Sequence, residues 1–493
     1  MLIEAVLGAV WLSATTGATM AGRPDAAPQQ ATQQTPGKPS TGDKAQKPKK
    51  KKAKNPKPSP DEEVDETDAP PAEAPRTFRA EWKQHPSIRI GSFFRADFQA
   101  QFQEDIHASY AGASTLNKDF KTFDLHRNRV GIKGNFFKHV QYEVKRELTE
   151  KEVDATTQEK CAIDPTVKGC QIQSLWKDVY VNLTYLKRAQ LQVGKFKVPF
   201  GLDQLTGVTH LDFVYRSLGA KQLAPARDIG AQLHGQLFKK SLEYAAGVFR
   251  HDGENAHSSK IAGGDLTGAG RVSVQPFRKS TVAGISALQF GAAAAISKLS
   301  DDSYRPNGLQ GKTVMTGDTF YHPVFVKGRR HRWEGDVDWT AGRYSARSEF
   351  TLVRDDRLQQ GLIEDDLPDS RARSWYVSGT VVVTGEAKTR PIKPNGDLFQ
   401  GGIGAIELAA RYERLWFDSV GGTDVPTRAN RAETILESGD KVLTLGVNWT
   451  VNRFVKLQFN GIREQIEDLG RNPVPKNTTG VFWSRVLRLQ FVL

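Results

Sequence analysis

The sequence predicts an all-β protein: a transmembrane antiparallel up-and-down β-barrel of about 16 strands, preceded by a disordered Lys/Pro-rich N-terminal segment. Three observations predict it. Apolar and polar residues alternate with period two, over runs that reach ten residues or more, from residue 78 to the end. Long polar gaps alternate with tight turns between those runs, as in outer-membrane barrels. Hydrophobic content is only 38% of 493 residues, little for several compact cores, and no stretch offers the ~20 apolar residues of a spanning helix.

The chain opens on an uncharged stretch, Ala5–Gly22, with Val6, Leu7, Val10, Trp11 and Leu12 at its centre and Ala18 and Ala21 as cleavage points. Residues 1–21 are therefore expected to be an export signal, truncated or misassigned at its front, because Glu4 stands where Lys or Arg is usual. Residues 22–77 are another material. Nine lysines lie between Lys38 and Lys57, prolines recur, and an acidic run follows from Asp61 to Asp68. Without apolar periodicity there is no surface to bury, so this segment is expected to be a disordered periplasmic linker.

Residues 78–493 are expected to form the barrel. Ile88, Ile90, Phe94, Ala96, Phe98, Ala100 and Phe102 alternate with Arg89, Arg95, Asp97, Gln99 and Gln101, which places a first strand at about 87–103. The device recurs in Ile229–Leu237, Ile406–Tyr412, Leu443–Trp449 and Val455–Asn460. It recurs last in Val486–Leu493, where Leu487, Leu489, Phe491 and Leu493 flank Arg488 and Gln490. A soluble sandwich also alternates, but its strands average ~5–6 residues. Strands of ~9–11 residues, tilted, cross a membrane with one face in lipid and one in water. Trp82, Trp176, Tyr180, Trp375, Trp449 and Trp483 suit an interfacial aromatic belt.

Between strands, long gaps fall near 104–121, 150–173, 197–226, 251–266, 299–330, 355–370, 419–437 and 466–478. Short turns fall at Gly134–Lys138, Leu186–Arg188, Lys239–Lys240, Phe277–Lys279, Ala341–Arg343 and Val451–Arg453. Sixteen strands result. One turn breaks the rule: Gly385–Gly402 is long where a short one is due. Strand parity turns Arg89, Arg95, Arg127, Arg129 and Lys133 to the lumen. It also turns Asp97, Glu143, Glu147, Glu334, Asp336, Asp338, Glu349, Glu407 and Glu413 inward, so the lumen is mixed in sign.

Net charge is +13, which suits an anionic partner. Nucleic acid is not indicated, since the basic segment lacks interleaved aromatics and a basic folded module. Cys161 and Cys170 sit nine positions apart with Pro165 and Gly169 between them. In an exported chain they are a disulfide candidate closing a small loop. Neither H-E-x-x-H, G-x-S-x-G nor G-x-x-x-x-G-K occurs, so no enzyme, cofactor or metal site is expected. His251–Asn255 (HDGEN) is too short an acidic cluster to specify calcium, and Gly263–Gly270 reads as a loop.

Four segments carry a resemblance. "VGKFKVPFGLDQLTG" (Val193–Gly207), "SGTVVVTGE" (Ser378–Glu386), "GAIELAARYERL" (Gly404–Leu415) and "LGVNWTVNRFVKLQFN" (Leu445–Asn460) resemble the phosphate-selective porin O and P family, in order and across nearly all of 87–493. The resemblance implies a sixteen-stranded outer-membrane porin, usually a homotrimer, that passes small anions such as phosphate or polyphosphate. It also implies a constriction formed by the third loop, here 197–226, folded inward. Its wall groups would be Lys195, Lys197, Arg216, Lys221 and Arg227, opposed by Asp203, Asp212 and Asp228. Leu493 stands where such chains usually end on an aromatic. A second reading makes the barrel a structural tether, with Lys49, Lys50, Lys51 and Lys52 touching the cell wall.

Overall fold

In a computed structural model, the described residues are 78–82, 85–109, 120–149, 175–254, 266–299, 306–471, 474 and 479–493. The expected signal and linker, 1–77, lie outside them, as do Cys161 and Cys170.

Two short strands, β1 (Phe78–Trp82) and β2 (Pro86–Ile90), lead into β3 (Phe94–Ser109), β4 (Phe120–Phe136), β5 (Val140–Glu147), β6 (Trp176–Leu186), β7 (Ala189–Lys197) and β8 (Arg227–Leu237). Then come β9 (Leu242–Phe249), β10 (Thr267–Val274), β11 (Gln289–Leu299), the small pair β12 (Gly311–Lys312) and β13 (Thr319–Tyr321), and β14 (Gly328–Ala341). The chain ends with β15 (Tyr344–Arg357), β16 (Leu367–Val382), β17 (Ala405–Ser419), β18 (Ser438–Thr450), β19 (Val455–Ile466) and β20 (Val481–Val492). Each of the sixteen wall strands, β3–β11 and β14–β20, pairs antiparallel with its neighbours. β20 closes on β3 from Ser484↔Ser109 to Val492↔Gln101. Closure removes the sheet edges and satisfies each backbone group without water, which a lipid-spanning sheet requires.

Alternation dictates the two faces. Leu489 and Phe491 are exposed outward while Arg488 and Gln490, which alternate with them, are buried inward. Ile229 and Leu233, Leu408 and Tyr412, and Leu445 and Val447 lie on the same outer face. The segment Val486–Leu493 is thus the closing strand with its apolar face on the outside.

Three expectations change. The alternation over 88–102 belongs to two elements: Gly91, at φ 51, turns the chain so that β2 folds back on β3. The pairing Ile90↔Phe94 and Ile88↔Ala96 keeps even residues opposite even ones, so the pattern runs through the turn without a phase break. Tyr180 is lumenal: its hydroxyl donates to Glu143 at 2.9 Å and its ring meets Phe196. The connection after β10 is longer than Phe277–Lys279 and holds a helical turn, α1 (Ala283–Ser286).

The wall is uneven in height. β7 has nine residues and β9 and β10 have eight, whereas β14–β17 have fourteen to sixteen. Inside, apolar clusters fill part of the lumen. The larger joins Val214, Leu218 and Leu223 of the third loop and Val314, Phe320 and Val324 of the fifth to inward residues of β15–β20, such as Phe417, Val442, Ile462 and Phe482. A smaller one packs Phe196 and Phe249 against Ala269, Ala293 and Ala295. The small side chains of β10 and β11 leave room for those rings.

Candidate functional site: a loop across the lumen

The third loop, residues 198–226, leaves the low side of the wall and crosses the barrel. Its neck is closed by Val198 N–H donating to Ala226 O at 2.8 Å. A helical turn, Leu202–Leu205, follows, and Lys197 Nζ donates to the carbonyls of Gln204, Leu205 and Thr206 at 2.8, 3.0 and 3.0 Å. Those carbonyls have no partner within so short a helix, so the ammonium caps it. Asp203 ties the two limbs together by accepting from Ser217 N–H at 2.8 Å.

The middle of the loop lies on the opposite wall, since β17 and β18 stand eight strands from β7 and β8 around the ring. Lys456 donates to Leu211 O at 2.9 Å, Asn448 to Asp212 O at 2.8 Å, Arg488 to Val214 O at 2.7 Å and Arg411 to Tyr215 O at 3.1 Å. Val214 N–H donates to Asn460 at 2.8 Å. A second helical turn, Leu218–Gln222, is pressed so close to β16 that a Cβ on Gly219 would overlap the Ser374 hydroxyl.

Wall carboxylates also serve as anchors. Glu349 accepts from Asp203 N–H at 2.9 Å and Glu413 from Leu218 N–H at 2.6 Å, while Glu464 accepts from Val314 N–H of the fifth loop. The inserted loops therefore cover part of the acidic half of the lumen and occupy its acceptors. Asp212 is ionised: burial opposes its charge, but Lys388, Arg390 and Arg347 outweigh that and hold its carboxyl well below the usual range. Burial, reinforced by Lys456 and Arg390, holds His210 below the usual imidazole range, so it is neutral at pH 7.

The sequence-predicted basic residues divide by partner. Arg95 pairs with Asp97 at 2.9 Å, Arg129 with Glu147 at 2.7 Å, and Arg227 takes Asp178 in a bidentate pair at 2.9 and 3.0 Å. Arg216 donates to Asp203 O and Thr206 O within the loop, and Lys221 donates to Val314 O at 3.1 Å. Lys195 pairs with Glu254 at 2.7 Å and sits in register with Val179 and Ile229 of the lipid-facing set. Arg89 is not on the wall; it lies on β2 near Glu81 at 3.7 Å. Asp228 accepts from His251 N–H at 2.7 Å. Asp252 of the HDGEN stretch is buried against Arg330, Arg332 and Ser297, which leaves it no oxygen for calcium.

Two predicted residues differ. Among the described residues Arg127 makes one side-chain hydrogen bond, to the neutral Gln103 at 3.1 Å. Its charged surroundings are Arg488, Arg129 and Arg216, with Asp105 already held by Arg488. Lys133, six residues further along β4, is exposed to the lumen and has no ion pair among the described residues. Its register neighbours are taken: Asp97 by Arg95 and Ser87, Glu143 by Lys145 and Tyr180. Beside them β5–β8 present a neutral network, with Asn182 bonded to Gln141, Gln190 and His234, and Gln192 to Gln232.

Residues not singled out from sequence include Arg488, Arg411, Asn448 and Lys388, which fix the loops. Parity alone points the first three inward; only the anomalous length of its turn marks Lys388.

A closed sixteen-strand barrel, apolar outside and polar within, with a long loop laid across its lumen, is an outer-membrane porin. A family described as phosphate-selective porin O and P matches residues 97–493. Porin O of Pseudomonas aeruginosa is 24% identical over 361 residues, 66% of this chain and 75% of that one. The chain belongs to the phosphate-selective porin O and P family. Among solved structures, OmpT of Vibrio cholerae aligns over 81% of this chain and 98% of that one, at TM-score 0.48 and 12% identity. The anion-selective porin from Comamonas acidovorans aligns over 81% and 99%, at TM-score 0.47 and 11% identity.

Proposed function

We propose that this porin is a passive diffusion channel for small anions, phosphate among them, and that its path runs along β4 past Arg127 and Lys133. The observation that carries the reading is that, among the described residues, these two cations face the lumen without a carboxylate partner. Arg offers a fork that matches phosphate oxygens, and Lys acts as a point charge. Separated weak sites let an ion enter and still leave. Covered acids on the far wall and neutral amides on β5–β8 leave little negative charge to oppose this. The basic groups already paired with carboxylates set the local field but are not free to bind.

Reversal potential in planar bilayers under a KCl gradient tests the reading. Anion preference is expected, with phosphate reducing chloride current. Cation preference would overturn it. A homotrimer is the assembly the family resemblance implies, and crosslinking that stops at three copies would agree.

A further inference from the structure

We infer that the long turn between β16 and β17 forms a second part of the constriction, and that its Lys388 is a positioning residue for the third loop. The inference is independent of which ion the pore prefers.

Residues 383–404 fold back into the turn-side mouth. Lys388 N–H donates to Gly342 O of the neighbouring turn at 2.7 Å, and Leu398 N–H to Val451 O of another at 3.0 Å. Ile392 packs on Val382 and Ala405 at the strand ends. The turn is thus stapled on both sides, and it delivers a lysine whose side chain is only 2% exposed. Its ammonium donates to Asp212 of the third loop at 2.5 Å and also to Glu407 of β17. Arg390 adds a longer contact to Asp212, at 3.4 Å.

The sign of the charges makes the argument. Asp212 sits beside a wall carboxylate, and like charges in a buried site repel. Beside that spot the wall presents Glu407 and the amide of Asn448, which donates to both Asp212 O and Glu407 at 2.8 and 3.0 Å, while its nearby cations Lys456 and Arg347 bond elsewhere, to Leu211 O and Asp338. The cation that bonds both acids comes from the turn. The loop's other nearby ties, at Leu211 O and Val214 N–H, go to its backbone, and the Lys456 ammonium at the first of them eases the repulsion without bridging the two carboxylates. The bend of the loop therefore rests where it does because the turn places Lys388 there.

Single-channel recording of K388M tests this, with heat-modifiable migration as the check that the barrel is folded. Brief closures and sub-conductance levels are expected to rise roughly tenfold, the least that losing one partner of a buried charge pair should produce. K388M/E407Q, which also removes the like charge, is expected to return the channel towards its quiet level. A folded K388M as quiet as wild type, or a double variant as noisy as K388M, overturns the proposal. Should K388M fail to fold, D212N keeps the Lys388–Glu407 pair and cuts only the loop's tie. Its closures should rise too, and a quiet D212N also overturns the proposal.

Discussion

Arg488 and Asp105 meet in a bidentate pair, both contacts 2.6 Å, across the seam where the last strand joins the first. Both side chains are fully buried, and the same guanidinium reaches on to Val214 O of the third loop. One residue thus closes the cylinder and seats the constriction. Removing a single partner strands the other charge, so D105N should cost about 3–5 kcal/mol. The check is the temperature at which the compact, fast-migrating band is lost on gels. An unchanged transition would mean that the seam rests on the backbone ladder alone.

The two faces of the wall should respond oppositely to one substitution. Leu445 is exposed outward near the middle of β18, and Gln99 faces inward on β3. L445R puts a guanidinium into hydrocarbon and should destabilise by about 2–4 kcal/mol. Q99R adds the same group to a wet lumen, so the barrel should fold normally and become more anion-selective. Unfolding in detergent and reversal potential together decide it. Equal destabilisation by both variants would contradict the assignment of faces.

The cylinder was legible because its signal is long and periodic: ten-residue alternations fix both the faces and the closing strand. What failed was phase and partner. Residues 88–90 share parity with 94–102 because the tight turn at Gly91 pairs even with even, so the hairpin β2–β3 was invisible. A turn read at Gly134–Lys138 sets Arg129 opposite Glu143. The observed pairing Phe136↔Val140 moves it to Glu147. Parity shows which way an arginine points; only register shows whether a carboxylate meets it. Contacts such as Lys388 with Asp212, 176 positions apart, have no local signature at all.

That distinction separates Arg127 from Arg129. R127A removes one positive charge bonded to a neutral amide. R129A also removes one, which leaves the Glu147 carboxylate unpaired and takes a neutral pair to a single negative charge. Each variant lowers the local charge by one unit, so the reversal potential should shift towards cations by a similar amount in both, at low salt where screening is weak. Recordings in dilute KCl check it. If R127A shifts the potential and R129A does not, Glu147 must find another cation. If neither shifts it, Arg127 leaves the proposed path and the Arg129–Glu147 pair does not set its field.

Acid should loosen the third loop only late. The folded-state pKa of Asp212 lies below its unfolded value of about 4. A carboxyl depressed in this way contributes stability in full above its unfolded pKa and loses it as pH falls through the folded one. The groups facing it are Lys388, Arg390, Arg347, Lys456 and the carboxylate of Glu407. His210 gives no step near pH 6–7, because its own pKa is held down by burial and by Lys456 and Arg390. Open-channel noise should therefore be flat from pH 7 to about 4 and rise only below that. D212N should be noisy across the whole range. A step in the wild type between about pH 5 and 7 would show that some other group, and not Asp212, holds the bend of the loop.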